Sequence, residues 1–197
     1  MRTKLSNSTM RMSVILDRFL RYVTVDTTAD ETSRTTPSTS GQRTLLTMLA
    51  AELSAMGAAD VALDGSGLMA TIPATSARAG PTIGFVAHVE TSPGLPGGGV
   101  KPILHGSYDG SDVGFPDAPD AVLRLDEHPA LRDQMGHDVV TASGTTLLGA
   151  DDKAGVAEIV SAAGHLLAHP EIEHGTVRLA CTSDEEIGGG GEHFDVD

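Results

Sequence analysis

Gly149-Ala-Asp-Asp-Lys-Ala-Gly-Val-Ala-Glu-Ile-Val-Ser-Ala-Ala-Gly-His-Leu-Leu-Ala168, continued by Thr176-Val-Arg-Leu-Ala-Cys181 and then by Thr182-Ser-Asp-Glu-Glu-Ile-Gly188, is the stretch that decides the fold. Over 152–168, Val156, Ile159, Val160, Ala163 and Leu167 recur at helical spacing and predict an amphipathic helix with that side buried. Residues 176–181 are mostly apolar and too few for a helix, as in a buried strand. A helix feeding a buried strand that ends in carboxylates is a unit of an α/β sheet, whose sites lie at strand ends.

Upstream, Thr82-Ile-Gly-Phe-Val-Ala-His88 reads as a second strand, buried on both faces. Val61-Ala-Leu63 and residues 68–72 flank the turn Asp64-Gly-Ser-Gly67 and predict a hairpin. Leu45, Leu49, Leu53 and Met56 mark a helix closed by Gly57, which takes a left-handed cap at little cost. Ile15, Leu16, Phe19, Leu20 and Val23 form one stripe and predict a helix over 13–25. Residues 26–41, rich in Thr, Ser and Pro, predict a loop; 91–135 predict loops and short strands. Residues 138–148 carry hairpin character around Ala142-Ser-Gly144. Residues 1–11 are expected to be a disordered extension, and 12–197 one α/β unit with a mixed sheet flanked by helices.

The 197 residues carry 13 Lys+Arg against 27 Asp+Glu, a net charge of −14 that argues against nucleic acid or an anionic membrane as partner. Aromatic residues are 3% with no Trp, too few for a base-stacking surface. The single Cys181 forms no internal disulfide, which suits a reducing compartment and excludes a Cys-rich zinc module. The apolar run Val14-Ile-Leu16 is cut by Asp17 and Arg18, too short for a signal peptide. The expected location is cytoplasmic.

Three polar clusters sit at strand ends or a helix start. His88 and Glu90 project the same way in extended chain, so the carboxylate can orient the ring or share its metal. Alternatively His88 caps a strand end beside a surface Glu. Either Asp151 or Asp152 suits a helix N-cap, which leaves the other without a structural task. Asp184-Glu-Glu186 is a run of three carboxylates that, if buried, needs a cation or a shared proton. Its other reading is a solvated acidic turn. Together, one imidazole and several carboxylates form a donor set suited to zinc, with manganese or cobalt as substitutes.

These segments resemble the M20 metallopeptidases, and within them the tripeptide aminopeptidases. The likeness rests on His88-Val-Glu-Thr-Ser-Pro-Gly94, on the long run from Thr145 to Ile159, and on Thr182-Ser-Asp-Glu-Glu-Ile-Gly188. Leu16-Asp-Arg-Phe-Leu-Arg-Tyr-Val23, Pro37-Ser-Thr and the tail His193-Phe-Asp-Val-Asp197 match as well. The resemblance implies a zinc-peptidase-like mixed sheet and two zinc ions. It makes His88 a ligand of one metal, Asp151 the bridge between both, Glu186 a ligand and Glu185 the general base, with Glu90 orienting His88. It also implies a cis Asp151–Asp152 peptide, short peptides as substrates and a possible homodimer of the full-length form.

The sequence departs from that family in two ways. Glu90 stands where the family has Asp, from which weakened metal affinity or rate is expected. Family members are also about twice as long, with a further Asp ligand, a His ligand and a lid domain. Hence the chain is expected to be the first part of a catalytic domain, with an uncovered sheet edge. The expected activity is removal of the N-terminal residue from tripeptides. Alternatives are an inactive remnant or an M20 dipeptidase or deacylase. His105, His128, His137, His165, His169 and His174 match no motif and are expected at the surface or in loops.

Overall fold

The computed structural model describes residues 7–65, 67–76 and 80–190. His193, Asp195 and Asp197 lie outside the described residues. Helix α1 spans Asn7–Val23 and α2 Ser40–Met56; strands β1 (Ala59–Leu63) and β2 (Gly67–Ile72) form the expected hairpin. β3 (Ile83–His88), β4 (Ile103–His105), β5 (Val113–Phe115), β6 (Ala118–Leu123) and β7 (Val139–Thr141) follow, then α3 (Ala150–Ala168) and β8 (Val177–Thr182). The main sheet runs β1-β2-β8-β3, antiparallel except for the parallel pair β8 and β3. The mixed sheet flanked by helices is the architecture expected from the sequence.

Apolar periodicity explains most of the packing. Leu45, Leu46, Leu49 and Leu53 of α2 are wholly buried, and α2 packs on β1, β2 and α3. Gly57 closes α2 in the left-handed region, φ 90°, where its N–H reaches the last turn. Val156, Val160 and Ala163 bury one side of α3 against β3 and α1, while Ile159 and Leu167 are only partly covered.

Three expectations need correction. Helix α1 begins at Asn7, so 7–11 are helical rather than part of a disordered extension; Asn7-Ser-Thr are residue types that open helices. β3 is not buried on both faces: Ile83, Phe85 and Val86 are 54, 50 and 55% exposed, and only its end, Ala87 and His88, is buried. The reason is topological, since among the described residues β3 has β8 on one side and no strand on the other. Nor does 138–148 fold back on itself. β7 pairs with β4 far upstream, and Gly144, at φ 116°, lies against Phe115 and Ala118, where a Cβ would not fit.

Candidate metal centre

Register brings the polar clusters together. β3 and β8 run parallel with His88 opposite Thr182, so both strands end at one level and release their polar residues side by side. Past β3, Val89 still donates its N–H to Thr182 O at 3.0 Å, and Glu90 enters the interior fully buried. Past β8, the chain turns at Asp184 (φ 64°) into a short 3-10 turn, Glu185–Ile187. The start of α3 faces both.

That start is irregular. The Asp151–Asp152 peptide is cis, as the resemblance implied, and both residues lie outside helical geometry. Asp152 Oδ1 accepts the Gly155 N–H at 3.2 Å and so does the capping work. A side chain at position 155 would collide with that carboxylate, which accounts for the glycine. Asp151 is left free to point outward, 85% exposed, with Oδ1 3.1 Å from His88 Nε2.

His88 is held from its other side. Its Nδ1 lies 3.2 Å from Glu90 Oε1, and the same oxygen accepts the Glu186 N–H at 3.1 Å. Glu90 therefore reaches both the ring and the acidic turn. The Glu185 carboxylate, 61% exposed, stands 3.9 Å from His88 Nε2. Donor atoms of His88, Asp151 and Glu186 lie within 4.8 Å of one another, as do those of His88, Glu90 and Glu185. Such a set, one imidazole with carboxylate oxygens and an open side, fits a divalent metal of borderline hardness. The second oxygen of Glu90 is buried and, like His88 Nδ1, meets no hydrogen-bond partner of good geometry among the described residues.

All five residues singled out from the sequence thus meet at one place. The six unmatched histidines lie outside it. His128 and His137 are exposed; His105, His165, His169 and His174 are half-buried. The acidic run resolves into two parts: Glu185 and Glu186 face the opening, while Asp184 turns inward, 5% exposed.

Sequence reasoning missed two buried polar residues, Gln42 and Lys153. Lys153 is fully buried and donates from Nζ to Val25 O at 2.9 Å. Its spacing from Val156 and Val160 put it on the buried stripe, which is the signal that identifies it.

Electrostatics follow from this crowding. Burial pushes the His88 imidazolium down, but the Glu90, Asp151 and Asp152 carboxylates outweigh it and hold its pKa up at about 9. Burial pushes Lys153 down to about 8, against the pull of Asp26 and Glu90. For the metal-stripped chain the two act oppositely on stability. His88 contributes stability fully below its unfolded pKa of about 6.5 and loses it as pH rises through about 9. Lys153 binds its proton less tightly folded than unfolded, so stability rises from about pH 8 to about 10.5. Urea unfolding across pH is expected to show a minimum between the two limbs, and His88→Ala should abolish the falling limb. A flat profile would count against the arrangement.

No family model matches the chain. It is 48% identical over 187 residues to peptidase T of Clostridium novyi, covering 94% of this chain and 46% of that protein. To peptidase T of Bacillus subtilis it is 49% identical over 183 residues, 92% of this chain and 45% of the relative. Among solved structures, aminopeptidase PepT of Bacillus cereus superposes with a TM-score of 0.62 at 26% identity, over 93% of this chain and 39% of that one. A tripeptidase of Staphylococcus aureus shares the fold, with a TM-score of 0.58 at 24% identity over 89% and 37% of the two chains. The fold is that of the M20 peptidase catalytic domains. Over nearly its whole length the chain is similar to these peptidase T proteins, and it spans about half the length of the curated relatives it matches.

Proposed function

We propose that the cluster at the ends of β3 and β8 is the zinc site of an aminopeptidase acting on tripeptides, with two zinc ions in the complete enzyme. The observation that carries this reading is the convergence of His88, Asp151 and Glu186 within 4.8 Å, beside an exposed Glu185. His88 and Glu186 would hold the metals, with Asp151 shared between them. Bound there, zinc would acidify water and polarise a peptide carbonyl.

The chain's own residues would do the rest. Glu90 fixes the His88 ring so that Nε2 faces the cluster, and keeps the carboxylate side of the pair charged. Its pKa is raised by burial but lowered further by His88 and the Glu186 N–H, ending below the usual range. Glu185 is free of the interior and faces the opening. It would take a proton from the attacking water and return it to the departing amine, as a general base and then acid. The names of the relatives supply the substrate class, short peptides attacked from the amino end. A cytoplasmic setting is supported by the lone, buried Cys181. No described helix is long and apolar enough to cross a membrane.

The test is hydrolysis of a free tripeptide and of its N-acetylated form by the zinc-loaded chain. Release of the first residue from the free peptide alone is expected, falling by roughly 10²–10⁴-fold in Glu185→Gln. Equal rates on both substrates, or an unaffected variant, would overturn the reading. A second reading, a metal-binding chain without hydrolysis, is favoured by one observation: among the described residues both groups of ligands share His88 as their imidazole. Stoichiometric zinc without turnover would select it.

A further inference from the structure

The acidic turn is anchored by residues that the metal reading does not use. Asp184 Oδ2 accepts the Ser38 N–H at 2.8 Å, and Oδ1 accepts the Ser38 hydroxyl at 2.5 Å and Gln42 Nε2 at 2.7 Å. In return the Asp184 N–H donates to Gln42 Oε1 at 3.2 Å. Gln42 Nε2 also reaches Ser38 Oγ at 3.0 Å and Thr39 Oγ1 at 3.3 Å. Gln42 is completely buried, and it stands at the head of the leucine stripe of α2 where another leucine would serve packing alone. Both of its polar ends are spent on Asp184.

Asp184 in turn is a non-glycine residue in the left-handed region, φ 64°, immediately before Glu185 and Glu186. Such a conformation persists where surrounding contacts fix it. The far side of the turn is tied by Glu186 N–H to Glu90, and Gly189 N–H closes back on Asp184 O at 2.7 Å. The turn is thus strung between α2 and the end of β3. Glu185 and Glu186 are exposed, and the Glu185 carboxylate comes no nearer than 3.9 Å to His88 Nε2, so the ties of the turn set where the two carboxylates stand.

We propose that Ser38 and Gln42 are positioning residues of the metal centre: they clamp Asp184, and through it set where Glu185 and Glu186 present their carboxylates. The inference rests on the metal reading above and extends it to α2 and the loop before it. Among the described residues the hydrogen bonds of Ser38 and Gln42 to this region end on Asp184, so the two act through the turn.

The test is zinc affinity of the full 197-residue chain, by competition with a chromogenic chelator, alongside urea unfolding of the metal-free form. Gln42→Glu sets a carboxylate against Asp184 and is expected to lower affinity at least tenfold. Adding Asp184→Asn restores a donor opposite the new acceptor and should bring affinity back to within about threefold of wild type. A clamp that served only the fold would lower unfolding midpoints while the folded chain kept its zinc affinity, and that result overturns the proposal. Should Gln42→Glu fail to fold, Ser38→Ala removes one donor and is expected to lose affinity several-fold with an unchanged circular dichroism spectrum. Unchanged affinity there also overturns it. A wild-type chain that binds no zinc overturns the metal reading itself, a result distinct from the failure of the clamp alone.

Discussion

Replacing His88 with alanine is expected to remove most of the chain's affinity for zinc, by roughly 100-fold or more, since ~10–16 kcal/mol of zinc binding spread over four ligands makes each worth about 3 kcal/mol. His88 is common to both ligand groups, so no second imidazole among them takes its place. Some stability goes with it. Glu90 is fully buried and would lose the ring that holds its pKa down, at a cost of about 1–3 kcal/mol. The measurement that separates the effects is chelator competition on samples whose circular dichroism spectra confirm folding. Affinity within threefold of wild type would mean that the cluster is an acidic surface feature and not a metal centre.

The second large effect concerns Lys153. Truncation to alanine leaves a hole in the stripe that α3 packs against the core, and takes the donor from Val25 O. It also removes the cation that Glu90 and Asp26 feel from below. Large-to-small core changes and an orphaned buried acceptor together give an expected loss of about 3–5 kcal/mol in urea unfolding. Lys153→Met keeps the volume and should cost less. A loss under about 1 kcal/mol for the alanine variant would contradict the role given to Lys153.

What the sequence made legible was set by period and chemistry. Leu45, Leu49 and Leu53 mark α2, and the hairpin of β1 and β2 announces itself by Asp64-Gly-Ser-Gly67. His88, Glu90, Asp151, Glu185 and Glu186 were marked by the resemblance to metallopeptidase motifs, since each cluster alone also reads as a strand end, a helix cap or a solvated turn. Their meeting depends on something no local pattern holds, the parallel pairing that sets His88 opposite Thr182. The exposure of Ile83, Phe85 and Val86 was equally hidden, because an apolar strand reads the same whether it lies at the centre of a sheet or at its edge. Lys153 and Gln42 were passed over for a different reason. Each is a polar residue on an apolar stripe, and its burial becomes sensible once its distant partners, Val25 and Asp184, are known.

On the proposed reading, one imidazole and a set of carboxylates, with no sulfur, hold a metal at the ends of β3 and β8. Cys181 lies near in sequence but is fully buried in the strand, where burial pushes its thiol up to about 12. X-ray absorption at the zinc edge of the zinc-loaded chain tests this most directly. A shell of nitrogen and oxygen at about 2.0–2.2 Å with the outer-shell signature of a single histidine is expected, and it should be lost in His88→Ala. A sulfur shell near 2.3 Å, or a spectrum of hydrated zinc with no imidazole, would contradict it.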